Sequence, residues 1–184
     1  LLTRHGNRVG AVMFGSGVQH KVPARGGRLH VLRLLNDLLK QPHHQRTPMT
    51  DLSALVKGGL HTIKKRSLIF VVSDFISVPG WERSLNLLSQ RHEVIAIRLW
   101  DKRETMLPDV GPLIMEDAET GEQIYVDTSD KKFRLRFMEA AQKREAELNA
   151  IFKRAGVDVL SLSTEADLIH AIASFVMLRR QRRR

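Results

Sequence analysis

The chain has 184 residues, 42% of them hydrophobic, enough for the core of one domain and unlike the composition of a disordered segment. It contains no cysteine, which excludes a disulfide framework, a thiolate nucleophile and a zinc–thiolate site, and which fits a reducing, cytoplasmic setting. Its net charge is +10, and five of the arginines stand together at the end, in Arg179-Arg180-Gln181-Arg182-Arg183-Arg184. No apolar run approaches the ~20 residues needed to span a bilayer, and the start is not signal-like.

In chain order, residues 8–14 (RVGAVMF) read as a buried strand. After a Gly15-Ser16-Gly17 turn, residues 18–22 (VQHKV) alternate as a return strand, so the two predict a hairpin at a sheet edge. Gly26-Gly27 precedes a helix whose apolar face would be Leu29, Leu32, Leu35, Leu38 and Leu39, and Pro42 ends it. Residues 43–49 form a polar loop, and residues 51–63 a second helix with Leu52, Leu55, Val56, Leu60 and Ile63 inward.

Ser67-Leu68-Ile69-Phe70-Val71-Val72-Ser73-Asp74-Phe75 is apolar without alternation and ends in a carboxylate. Such a run reads as a central parallel strand covered on both faces. Ligands of open α/β sheets bind beyond the carboxyl ends of such strands, which makes Asp74 the leading candidate for a working side chain.

Pro79-Gly80-Trp81-Glu82 opens a third helix with Leu85, Leu87 and Leu88 on its apolar face. Residues 93–100 (EVIAIRLW) are a second central strand, and residues 111–128 have the pattern of a hairpin with an acidic tip at Asp117, Glu119 and Glu122. Thr128-Ser129-Asp130 caps a long charged helix that ends near Ala155, where Gly156 suits the C-cap. Residues 157–162 are a last strand, and Ser163-Thr164-Glu165 start the final helix. Alternating strands and helices predict an α/β fold with a mainly parallel sheet, one antiparallel edge strand and one hairpin insertion. The expected division is a domain over residues 1–178 and a basic tail over 179–184.

Thr50 and Asp74 fall on separate loops that follow strands or precede helices. A hydroxyl and a carboxylate suit a hard cation such as Mg²⁺. The plainer alternatives are a helix N-cap at Thr50-Asp51 and a strand-end turn at Ser73-Asp74. His43 and His44 lack a visible third ligand. Gly26-Gly27 lacks a phosphate-loop lysine, so a helix-entry turn is the better reading. The acidic hairpin tip falls short of a calcium loop in spacing and ligand number.

The order of RVGAVMF, VQHKVPARGGRLHVLRLLNDLL, the MTDL loop and SLIFVVSDF resembles a von Willebrand factor type A domain. With LPDVGPLIMEDAETGEQIYVDTSD, the chain more closely resembles bacterial domain of unknown function family 58. That resemblance implies a Rossmann-like, three-layer type A sandwich. It implies a metal-ion-dependent adhesion site for Mg²⁺ in which Thr50 and Asp74 supply two of the three ligand loops. The Asp-x-Ser-x-Ser loop is not found in this sequence, nor is the first strand that would carry it. The chain is accordingly expected to be the C-terminal part of a longer protein, with an incomplete site. The resemblance also implies a partnership with a MoxR-type AAA+ ATPase.

Three functions follow as expectations. The first is a non-enzymatic protein-interaction module whose metal is completed by an acidic side chain of a protein partner. The second is a phosphoryl-transfer or receiver-like enzyme using Asp74, although neither the acidic pair nor the late lysine of a receiver is present. The third is binding of nucleic acid or an acidic surface through the arginine tail. The tail carries no aromatic residue and the chain is only 5% aromatic, which argues against specific nucleic-acid recognition.

Overall fold

The computed structural model describes residues 6–15, 18–41, 51–117 and 121–182. Its centre is a three-stranded parallel sheet of β3 (Leu68–Ser73), β4 (Glu93–Trp100) and β7 (Asp158–Ser163), in the order β3-β4-β7. β3 and β4 pair from Leu68↔Glu93 to Ser73↔Arg98, and β4 and β7 from Ile95↔Asp158 to Trp100↔Ser163. Two antiparallel hairpins stand apart from it: β1 (Val9–Gly15) with β2 (Val18–Arg25), and β5 (Pro112–Glu116) with β6 (Gln123–Asp127). The first hairpin was expected at the edge of the main sheet. It forms its own ladder and makes no hydrogen-bonded pairing with β3. Gly10 is required in it, since a Cβ there would lie 2.7 Å from the Val22 carbonyl oxygen.

Among the described residues, five α-helices complete the fold: α1 (Arg28–Leu39), α2 (Leu52–Thr62), α3 (Trp81–Arg91), α4 (Lys131–Arg154) and α5 (Leu168–Arg182). α2, α3 and α4 cover one face of the sheet. Their Leu52, Val56, Trp81, Leu85, Leu88, Leu148 and Phe152 form a single core with Val71, Val94 and Ala96. Side chains alternate between faces along a strand, so Leu68, Phe70 and Val72 share the other face with Glu93 and Ile95. α5 packs on that face, against β7. The long helix behaves as its sequence indicates. The Asp130 carboxylate accepts from Lys132 N at its start, and Gly156 at φ 63° follows its end.

Several expectations need correction. β3 is an edge strand among the described residues, paired only to β4, and Leu68, Phe70 and Val72 are exposed. The apolar stripe of α1 is exposed at Leu29, Leu32, Leu35, Leu38 and Leu39, and the buried residue of this helix is Leu34. Leu87 of α3 points outward, and Trp81 takes its place in the core. The final helix starts at Leu168, because Ser163 ends β7 and its hydroxyl accepts from Glu165 N in the intervening turn. The boundary placed after residue 178 divides a continuous helix. Arg179, read as part of a solvated tail, donates from Nε to Asp158 at 2.6 Å and from one terminal nitrogen to Glu93 at 2.7 Å. One guanidinium thus ties α5 to the starts of two strands, a fork geometry that arginine provides.

Candidate functional site at the carboxyl end of the sheet

Asp74 directly follows β3 and is exposed. The turn it opens is built from local hydrogen bonds. Phe75 N donates to Ser73 Oγ at 3.0 Å, and Ile76 N donates to Asp74 Oδ1 at 3.0 Å. Ser73 Oγ also donates to Asp74 Oδ1, at 3.3 Å. The strand-end turn expected at Ser73-Asp74 is therefore present, and it leaves Asp74 Oδ2 without a hydrogen bond among the described residues. Phe75 adopts φ 62°, a left-handed conformation that costs a non-glycine residue on the order of 1 kcal/mol. Its ring offsets this by packing edge-on against Phe152 at 4.9 Å and against Trp81 at 5.6 Å. An aromatic anchor in the core thereby fixes an exposed carboxylate at the rim.

Thr50 lies outside the described residues, as do His43, His44 and Glu119. The residues after Thr50 are placed, however. The Asp51 carboxylate caps α2 by accepting from Ala54 N at 3.2 Å, and Leu52 N donates to Ser77 Oγ at 3.0 Å. The second bond joins the start of α2 to the loop that carries Asp74. Behind it, Ser53 Oγ and Ser84 Oγ share a buried hydrogen bond of 3.2 Å. At the far hairpin, Asp117 N donates to the Glu122 carbonyl oxygen at 2.8 Å.

Beside Asp74 is a cavity of about 120 Å³ lined by Phe75, Trp81, Arg98, Arg144 and Glu147 among others. Arg98 forms an ion pair with Glu145 of α4 at 2.5 Å. The cavity therefore combines an aromatic wall with charges of both signs. Among the described residues no group of three or more His, Asp or Glu side chains is placed to hold a metal ion.

Asp101, which sequence reasoning passed over, follows β4 as Asp74 follows β3. It accepts from Thr164 Oγ1 at 2.7 Å and from Arg103 N at 2.9 Å, and it caps a 3₁₀ turn over Lys102–Glu104. The Thr164 hydroxyl and then the Arg103 amide hold its carboxyl below the usual aspartate range. Its acceptors are occupied in joining the loops after β4 and β7, so Asp101 buttresses the rim while Asp74 faces outward. The sequence signal was the same strand-to-carboxylate transition, in Leu99-Trp100-Asp101.

These features define a mixed α/β protein with a parallel sheet, helices on both faces and a loop-built rim at the carboxyl ends of the strands. The chain belongs to the family described as protein of unknown function DUF58, which matches residues 1–147. It is 32% identical over 176 residues to the uncharacterized protein Rv1480 of Mycobacterium tuberculosis, covering 96% of this chain and 55% of that protein. It therefore spans about half the length of that relative. It is also 33% identical over 161 residues to the uncharacterized protein MAV169 of Mycobacterium avium, covering 88% of this chain and 95% of that one. Among solved structures, the conserved hypothetical protein BatB from Bacteroides thetaiotaomicron aligns with a TM-score of 0.48 at 11% identity, over 96% of this chain and 80% of that one.

Proposed function

We propose that this chain is a non-enzymatic protein-interaction module of von Willebrand factor A-like design. Its working surface is the rim around Asp74, where Asp74 and Thr50 would hold Mg²⁺ and an acidic side chain of a protein partner would complete the shell. The partner that the family resemblance favours is a MoxR-type AAA+ ATPase, acting with this protein in the assembly or activation of other protein complexes.

The observation that carries the reading is the bond from Leu52 N to Ser77 Oγ. It joins the first residue of α2, two positions after Thr50 in sequence, to the loop following Asp74, so segments 25 residues apart meet at this rim. Asp74 is exposed and the turn engages its Oδ1 alone, which suits a carboxylate that gives a single oxygen to a hard cation. The donor set is all oxygen, consistent with Mg²⁺ rather than a thiophilic metal. Two protein ligands leave most of the coordination sphere to water or to a partner. A divalent charge at the rim would draw an acidic side chain and orient it.

The test is calorimetric titration with Mg²⁺ and Mn²⁺, on this chain and on a version extended upstream. The expected result is saturable binding, stronger in the extended chain and lost in Asp74→Ala with folding retained by circular dichroism. Binding that survives Asp74→Ala, or no binding in either length, overturns the metal-dependent reading.

A further inference from the structure

At the opposite end of the sheet, where β3 and β4 begin, lies a second cavity of about 370 Å³. It is bounded by Leu60 and Ile63 from α2 and the segment after it, by Lys64 and Arg66 before β3, and by Arg91 and His92 between α3 and β4. Among the described residues no carboxylate lines it. Lys64, Arg66 and Arg91 have no ion-pair partner among the described residues. α5 delivers further charge to this end, because Arg179 is fastened to Glu93, the residue after His92, and Arg180 and Arg182 follow.

Cations at this end have an ordinary explanation, since α2 and α3 both terminate here and their last carbonyls favour positive charge. That explanation does not extend to His92. Its side chain is buried, with 5% of its surface exposed, and neither Nδ1 nor Nε2 has a hydrogen-bond partner among the described residues. Buried polar groups are almost always paired, and an orphaned one at the wall of a cavity marks a place where a further group completes the bonding. Burial, and then the neighbouring Arg91 charge, lower the His92 pKa, so the ring is neutral at pH 7 and carries one N–H donor. Three cations, a neutral donor and no acid form the donor set of an oxyanion site. The space accommodates such an anion with several waters, each of which takes about 30 Å³.

We propose that this cavity binds a phosphate-type oxyanion, with Lys64, Arg66 and Arg91 supplying positive charge and His92 supplying a hydrogen bond. The chemistry is that of a phosphate group, whether on a soluble compound or on a lipid headgroup. The surrounding positive field would concentrate either one.

The first arm of the test is an NMR titration of the His92 ring signals with inorganic phosphate at constant ionic strength, with chloride as reference. The expected result is a saturable shift of His92, with affinity at least about tenfold weaker in Arg66→Gln and in Arg91→Gln. Both substitutions are at exposed positions, so the test does not depend on a variant that disturbs the core. The second arm is co-sedimentation with phosphatidylcholine vesicles, with and without phosphatidic acid. Sedimentation that needs phosphatidic acid and is lost in Arg91→Gln assigns the headgroup. A saturable NMR shift without sedimentation assigns a soluble phosphate compound. An immobile His92 signal, or a shift unchanged in both variants, overturns the site. The result is independent of Asp74, so it stands or falls separately from the metal reading.

Discussion

Val71 and Val72 are neighbours in one strand and meet opposite surroundings. Val71 is 8% exposed and belongs to the core under α2, α3 and α4, whereas Val72 is 53% exposed on the α5 face. The contrast extends along β3, whose inward residues meet a three-helix cover while Leu68, Phe70 and Val72 face outward beside a strand edge that is unpaired among the described residues. β4, one strand further in, is paired on both edges and has Val94, Ile95 and Ala96 all buried. An apolar run shows that a strand can be covered on both faces. The cover itself comes from other segments.

The largest effect that would test this contrast lies at the centre of the covered face. Phe152 is 1% exposed and packs against both Phe75 and Trp81. Phe152→Ala is expected to lose about 3–5 kcal/mol of stability, measured by urea unfolding. It should also loosen the Asp74 turn, since the strained Phe75 loses its anchor. A loss below about 1 kcal/mol would mean that the three-helix cover is not packed as described.

The valine pair sharpens the comparison directly. Val71→Ala should cost about 2 kcal/mol, from two lost methyl groups and the space they leave, and Val72→Ala no more than about 0.5 kcal/mol. Equal losses would show that both faces of β3 are covered in solution. The same pair measured in a longer chain would report whether added sequence covers the open face.

A smaller effect concerns pH and His92, at the edge of the covered face. Its folded-state pKa lies below the ordinary 6.5, through burial first and Arg91 second. The unfolded chain therefore takes up a proton that the folded chain does not. Stability should fall as pH drops from 6.5 toward the folded value and be insensitive to this group above 6.5. Urea midpoints at successive pH values in chloride buffer, compared between the native chain and His92→Gln, isolate this contribution. A native chain that gains stability through this window relative to the variant would reverse the assignment. Asp101 and Asp127, both held below the usual aspartate range by hydrogen bonds, act only in a separate window at and below 3.8.

Much of the architecture was legible because it depends on short-range signals. Helix caps at Asp130 and Gly156, the glycine entry to α1 and the abrupt end of β3 at Asp74 are set by residues within one or two turns of each other. Periodicity and local hydrogen bonding therefore established the α/β class, the parallel strands and the exposed carboxylate. Partners far away in sequence were not legible. Nothing local at Arg179 distinguishes it from the arginines that follow, yet Glu93 and Asp158 hold it within the fold. Nothing at Leu52 indicates that its amide bonds Ser77, 25 residues later, and ties the start of α2 to the loop after β3. The fate of apolar residues was undecided for the same reason. The stripe on α1 and the outer row on β3 match buried patterns in type and spacing, but burial requires another surface to meet them. The sequence by itself determined which elements form and where their ends present chemistry. Only the tertiary structure decided which faces are covered, which charges are paired and which histidine is buried without a hydrogen-bond partner among the described residues.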